Sequence, residues 1–179
     1  MIKSLKDLFV EHGANKCAEH GTIYDDLFSE WRDDPMTLLE IGVCRGGSLK
    51  AFRDYFSAAM IVGVDKDDHC TMTGESRITF LLGDITDSSF VNGIIDMYNG
   101  FDVIVDDGSH TANEQQAALE ALFPACRRLY VIEDLHTMQD KSYIPDGFIS
   151  TIDYIEPFNP VFFKCHGFDR DIAVMRKRL

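Results

Sequence analysis

A chain of 179 residues with 45% hydrophobic and 26% charged side chains has the make-up of one ordinary folded domain, which excludes a disordered chain. Thirty acidic against 17 basic residues leave a formal net charge of −13, which disfavours partners with an anionic backbone or surface, nucleic acid and membranes alike. No apolar stretch approaches the ~20 residues of a membrane span. The start, Met1 to Asp7, carries charge with no apolar run behind it, so no signal peptide is expected. Five cysteines, Cys17, Cys44, Cys70, Cys126 and Cys165, are an odd number with no C-x-x-C pair. Neither a disulfide framework nor a zinc–cysteine site is expected from them, and the chain reads as reduced and cytoplasmic.

Residues 1–35 read as a helical cap of two helices on a single domain spanning 1–179. Short apolar runs then follow at 37–42, 60–65, 78–83, 101–106 and 129–134, each stopping at Gly or Asp. Runs of that length, rich in branched and aromatic residues, predict strands buried on both faces. Between them lie helical patterns. Residues 48–57 open on Ser48 as N-cap and place Leu49, Phe52 and Phe56 on one face; 86–98 and 113–126 behave alike, the latter with Ala117, Ala118, Ala121 and Leu122 on one side. At 161–165 and 171–176 two further strands are separated only by His166–Arg170, too short for a crossover helix, which predicts an antiparallel hairpin. The expectation is a Rossmann-like α/β fold of the class I methyltransferase kind, its sheet mostly parallel with an antiparallel C-terminal strand.

In such sheets ligands bind beyond the carboxyl ends of the strands. After the first strand comes Glu40-Ile41-Gly42-Val43-Cys44-Arg45-Gly46-Gly47-Ser48, whose glycines allow a tight turn and close approach to a ligand. The pattern is neither G-x-G-x-x-G nor a P-loop. Asp65 closes the second strand, placed to accept hydrogen bonds from ribose hydroxyls or, alternatively, to cap a helix over 67–73. Asp84 follows the third and is a candidate for the adenine amino group or a simple cap. Glu40, Gly42, Gly46, Asp65, Asp84 and Asp106 make up the expected cofactor-binding set.

The fourth strand ends Asp106-Asp107-Gly108-Ser109-His110 and the fifth Glu133-Asp134-Leu135-His136-Thr137. Neighbouring strands lie about 4.8 Å apart, and two carboxylates about 4 Å apart repel by roughly 4 kcal/mol at an effective dielectric near 20. The cluster must protonate, point apart or hold a cation. Asp107, Glu133 and Asp134 form an all-oxygen set suited to Mg²⁺, Mn²⁺ or Ca²⁺; alternatively one or two of them cap helices while the others face solvent. His110 is placed as a general base, with His136 a second candidate. Lys16 and His20 reach toward the pocket or are merely solvated. Phe148, Tyr143 and Tyr154 line an acceptor pocket or belong to the core.

These motifs, with Leu39–Val43, Gly46–Leu49, Leu122-Phe123-Pro124 and the segment Gly13-Ala14-Asn15-Lys16 followed by His20 and Tyr24, resemble the metal-dependent sugar O-methyltransferases of macrolide biosynthesis, a group that includes cephalosporin hydroxylase-like relatives. The resemblance implies a class I fold binding S-adenosylmethionine, with Asp107, Glu133 and Asp134 on Mg²⁺ and His110 as base. It implies a small-molecule acceptor carrying a hydroxyl, a sugar or glycosylated natural product, and a homo-oligomer as in relatives. Here Cys126-Arg127-Arg128 replaces the family's Pro-Gly-Gly turn. The competing readings are an aromatic, catechol-type O-methyltransferase, a nicotinamide oxidoreductase, and a non-catalytic cofactor-binding protein.

Overall fold

The computed structural model describes residues 3–70 and 74–177. Two helices come first, α1 (Leu5–Glu11) and α2 (Ala18–Phe28). Then follow β1 (Thr37–Ile41), α3 (Gly47–Tyr55), β2 (Met60–Asp65), β3 (Ile78–Leu82), α4 (Ser88–Tyr98), β4 (Phe101–Asp106), α5 (Ala112–Leu122) and β5 (Cys126–Ile132). The short α6 (Thr151–Ile155) precedes the hairpin β6 (Val161–Cys165) and β7 (Phe168–Arg176). The strands form one sheet in the order β3-β2-β1-β4-β5-β7-β6, with β7 antiparallel to both its neighbours and the other pairings parallel.

The apolar runs alternate sides because a strand's side chains do. Leu38, Val103 and Leu129 face one core cluster with Leu8, Phe9, Tyr24 and Phe28 of α1 and α2 and Phe52 of α3. Leu39, Ile104 and Tyr130 face the other, with Val91, Ile94, Leu119 and Leu122. The sheet order reverses between β1 and β4, so a crevice opens at their carboxyl ends. There Asp107 N donates to Ile41 O at 3.0 Å and Glu133 N to Asp106 O at 2.9 Å.

Several boundaries differ from expectation. The helix after β4 stops at Leu122, because Pro124 lacks the N–H an α-helix needs and the chain continues as a 3-10 turn over Phe123–Ala125. Its buried face is Gln115, Ala118, Leu119 and Leu122, while Ala121 is exposed. Strand β5 begins at Cys126, not Leu129, and ends at Ile132, so Glu133 and Asp134 lie just past it. Its two arginines keep their heads outside the core; Arg128 stacks over Trp31 and meets Asp34 at 2.7 Å. The hairpin is tighter than read: β7 already starts at Phe168, leaving His166 and Gly167 as a two-residue turn with φ of +49° and +85°. A turn with positive φ at both central residues matches the twist of the paired strands. Ser48 is not an N-cap; Gly46 is, and Ser48 sits inside α3. No helix forms at 67–70, and residues 71–73 of the segment Asp65 was read as capping lie outside the described residues.

Candidate active site

Two cavities meet at the crevice. One, a cleft of about 370 Å³, is lined by Gly42 and Cys44 after β1, Asp65 at the end of β2, Asp84 after β3, and Asp107, His110 and Asp134 after β4 and β5. A second cavity of about 540 Å³ shares Asn15 and Asp134 with it and adds Lys16, Cys17, His20, Glu133, His136 and His166.

On the first side the glycine turn is shaped by the protein itself. Gly42 has φ +79°, and a Cβ there would come within 2.1 Å of the Asp107 carbonyl oxygen. A Cβ on Gly47 would meet Ala14 N and His12 O at 2.8 Å. The close approach expected for a ligand is therefore made at these two glycines by neighbouring backbone. Asp65 pins the same turn: one carboxylate oxygen accepts from Val43 N at 3.0 Å and Cys44 N at 3.1 Å, the other from Asp67 N at 3.0 Å. Asp84 is exposed at the cleft and accepts from Thr86 N and Oγ1 at 2.8 and 2.7 Å, bonds that lower its pKa. Glu40, Gly46 and Asp106 do not line the cleft. Glu40 is fully buried beneath the turn, accepting from Ser48 Oγ at 2.6 Å; burial pushes it up to about 7 against the pull of Lys16. Asp106 points into the opposite layer near Tyr130, and burial likewise lifts it to about 7.

On the acidic side a cation is built in. Lys16 Nζ lies 2.7 Å from Glu133, 2.9 Å from Asp107 and 3.5 Å from Glu40, its side chain only 2% exposed. It is not solvated. Burial alone would favour the neutral amine, but Asp107, Glu133 and Glu40 hold its pKa well above the ordinary value. Glu133 also accepts from the fully buried Tyr24 hydroxyl and faces His20 Nε2 at 2.9 Å. Burial would raise Glu133, yet Lys16 and His20 keep it ionised well below the usual carboxylate range. Burial also opposes charge on His20, but Glu133 lifts it to about 9.

Beyond this buried knot, Asp107, His110 and Asp134 each offer a ligand atom within 4.8 Å of the others, facing the cleft. Glu133 is not in that group; both its oxygens face Lys16, Tyr24 or His20. Asp134 Oδ1 and His110 Nδ1 are buried without a hydrogen-bond partner. Both residues have left-handed backbones, φ +55° and +59°, a conformation that costs energy and concentrates at functional sites. Burial pushes Asp107 up despite Lys16, and pushes His110 down, toward neutral imidazole. Oxygen donors, an orphaned carboxylate oxygen and several acids sharing one ammonium fit a hard divalent cation.

Asp171 was missed as a site residue. It is fully buried and accepts from His136 N at 3.0 Å, with His136 Nδ1 at 2.7 Å and His166 Nδ1 at 2.9 Å, orienting both imidazoles toward the second cavity. A carboxylate inside the apolar run 171–175 was the available signal. Tyr143, Tyr154 and Phe148 line neither cavity; the two tyrosines pack on the core and Phe148 is exposed.

A family model described as FtsJ-like methyltransferase matches residues 9–144. The chain belongs to the FtsJ-like methyltransferase family. Two relatives illustrate its neighbourhood. The 8-demethyl-8-(2-methoxy-alpha-L-rhamnosyl)-tetracenomycin-C 3'-O-methyltransferase of Streptomyces olivaceus is 38% identical over 130 residues, 68% of this chain and 33% of that protein. The mycinamicin VI 2''-O-methyltransferase of Micromonospora griseorubida is 37% identical over 123 residues, 64% of this chain and 31% of that protein. Among solved structures, MycE methyltransferase in complex with Mg, SAH and mycinamycin VI superposes with a TM-score of 0.84 at 25% identity, covering 98% of this FtsJ-like chain and 55% of that one. The chain thus spans about a third of the length of the curated relatives it matches. Among the described residues no helix is long and apolar enough to cross a membrane.

Proposed function

We propose that this chain transfers a methyl group from S-adenosylmethionine to a hydroxyl of a small-molecule sugar or glycosylated natural product, with Mg²⁺ or Mn²⁺ as cofactor. The observation that carries the reading is the meeting of Asp107, His110 and Asp134 within 4.8 Å in the same cleft that Gly42 and Asp65 line. A nucleoside pocket and a hard-cation centre then share one wall. The substrates in the relatives' names, a rhamnosyl-tetracenomycin and mycinamicin VI, and the Mg and SAH held by MycE support it.

In this reading Asp65 accepts from the ribose hydroxyls while its bonds to Val43 and Cys44 keep the turn open. Asp107 and Asp134 would hold the cation, with Glu133 behind them, and the ion would supply a charge that makes an acceptor hydroxyl more acidic. Lys16, Tyr24 and His20 fix the Glu133 carboxylate. His110, facing the cleft beside Asp134, takes the hydroxyl proton through its neutral ring. Placement of acceptor oxygen and donor methyl in line supplies the remaining advantage as effective concentration.

The test has two readouts. Calorimetry with S-adenosylhomocysteine should show one binding site. Methyl transfer to a rhamnosylated acceptor should stop in EDTA and return with Mg²⁺. Absence of nucleoside binding sinks the cofactor assignment, and full turnover in chelator sinks the metal's role.

A further inference from the structure

His20 has two sides, and only its Nε2 belongs to the knot around Glu133. Its Nδ1 faces sulfur, 3.0 Å from Cys17 Sγ and 3.4 Å from Cys165 Sγ, and the two sulfurs lie 3.0 Å apart. The His166 ring is next to it, with centroids 5.3 Å apart. Cys17, His20, Cys165 and His166 each offer a ligand atom within 4.8 Å of all the others. We propose that these four side chains bind one thiophilic divalent cation of the Zn²⁺ class, at a site separate from the carboxylate centre.

The donor set decides the metal. Two thiolates and two imidazoles suit Zn²⁺ in tetrahedral geometry and reject Mg²⁺, which demands oxygens. The fold prepares each donor. Cys17 occupies the N-cap position of α2 without making a cap bond, so its sulfur turns to His20, three residues later on the same face, and to Cys165. Cys165 and His166 are consecutive at the two-residue turn of the C-terminal hairpin. Glu133 at 2.9 Å from Nε2 orients the His20 ring, the carboxylate–histidine arrangement that turns the opposite nitrogen toward a metal. An entry path exists, because Cys17, His20 and His166 line the second cavity. Metal–sulfur bonds of about 2.3 Å imply sulfur–sulfur edges of roughly 3.8 Å in a tetrahedron, so loading must part Cys17 and Cys165 by less than about 1 Å. Loading also releases both thiol protons and any proton on His20 Nδ1.

The consequence is mechanical. The ion would join positions 148 residues apart in sequence, clamping α2 to the β6–β7 hairpin. Cys17 is the neighbour of Lys16, so the same clamp would hold the ammonium against Asp107 and Glu133. The inference does not rest on the methyltransferase reading. The pattern C-x-x-H with a distant C-H pair carries no zinc signature in sequence; only the fold joins its halves.

The experiment is a Co²⁺ titration of the full chain, stripped of metal, kept reduced, and held in excess Mg²⁺ so that the carboxylate centre is occupied. The expected result is a thiolate-to-cobalt charge-transfer band with tetrahedral ligand-field bands, saturating at one equivalent and displaced by Zn²⁺. Cys165→Ser should weaken binding beyond the roughly 10–100-fold that loss of an outer hydrogen-bond partner costs. Cys17→Ser, at the partly exposed rim, should do the same, while Asp134→Asn keeps the band. A wild-type spectrum without thiolate ligation overturns the proposal even if a variant fails to fold. So does a band indifferent to either serine variant, or a Cys17–Cys165 pair whose sole chemistry is a disulfide.

Discussion

The two sides of the crevice are built differently. On the glycine-turn side, where we propose that the nucleoside binds, Asp65 holds backbone amides 2, 21 and 22 residues away, and Asp84 holds its own turn. On the acidic side the contacts run from Lys16 to Asp107 and Glu133, 91 and 117 residues apart, and from Tyr24 to Glu133, 109 apart. The first is half solvated and joins each strand end to its own turn or to the turn of the adjacent strand. The second is a buried charge knot that exists only when the N-terminal helices close over the sheet. Ligand binding and fold stability should therefore separate: one side governs affinity, the other governs whether the chain stays folded.

The sharpest break of that contrast is Lys16→Met. Lys16 and Glu133 are each 2% exposed at the side chain. Removing one partner of such a pair leaves a buried charge uncompensated, a loss of about 3–5 kcal/mol. Urea unfolding measures it. A loss under about 1 kcal/mol, the level of an exposed pair, would mean that the ammonium does not neutralise the cluster. His110→Ala comes next. It should lower methyl-transfer turnover by about 10²–10⁴-fold while binding of S-adenosylhomocysteine is kept. Equal loss of binding and turnover would move His110 from proton transfer to cofactor binding.

The same difference explains what the sequence could disclose. Strands β1, β2 and β4, and β5 from Leu129 on, are buried on both faces and show as apolar runs, whereas β3, expected to be buried alike, is an only partly buried edge strand; Asp65 and Asp107 stand out because they close such runs. The acids at Glu133 and Asp134 were legible as a charged pair closing an apolar run, although Glu133 is itself buried. Lys16 was not: nothing in Asn15-Lys16-Cys17 distinguishes a buried ammonium from a solvated one, because its partners are brought by tertiary closure. Asp106 and Asp107 differ by one position and so face opposite layers, one toward Tyr130 and one toward Lys16. Alternation could have separated them, and it argues against Asp106 as a direct cofactor contact. The hairpin turn misled because Phe168 to Arg170 lack an apolar pattern at the sheet edge, yet Phe168 already pairs with Cys165.

Two smaller effects sharpen the comparison from the nucleoside side. Asp65→Ala removes a carboxylate whose hydrogen bonds are worth about 1.5–3 kcal/mol each, so affinity for S-adenosylhomocysteine should fall by roughly 10–100-fold in calorimetry. Unchanged affinity would reduce Asp65 to the turn brace its bonds to Val43 and Cys44 already describe. Asp87→Ala is the calibration. Asp87 caps α4, accepting from Ser89 N at 2.8 Å and Phe90 N at 3.4 Å, and lines neither cavity. Its loss should lower stability by about 1 kcal/mol with nucleoside affinity unmoved. Should Asp87→Ala weaken binding as much as Asp65→Ala, both would be acting through general loosening of the β3–α4 edge, and the separation of affinity from stability would fail at its most local point.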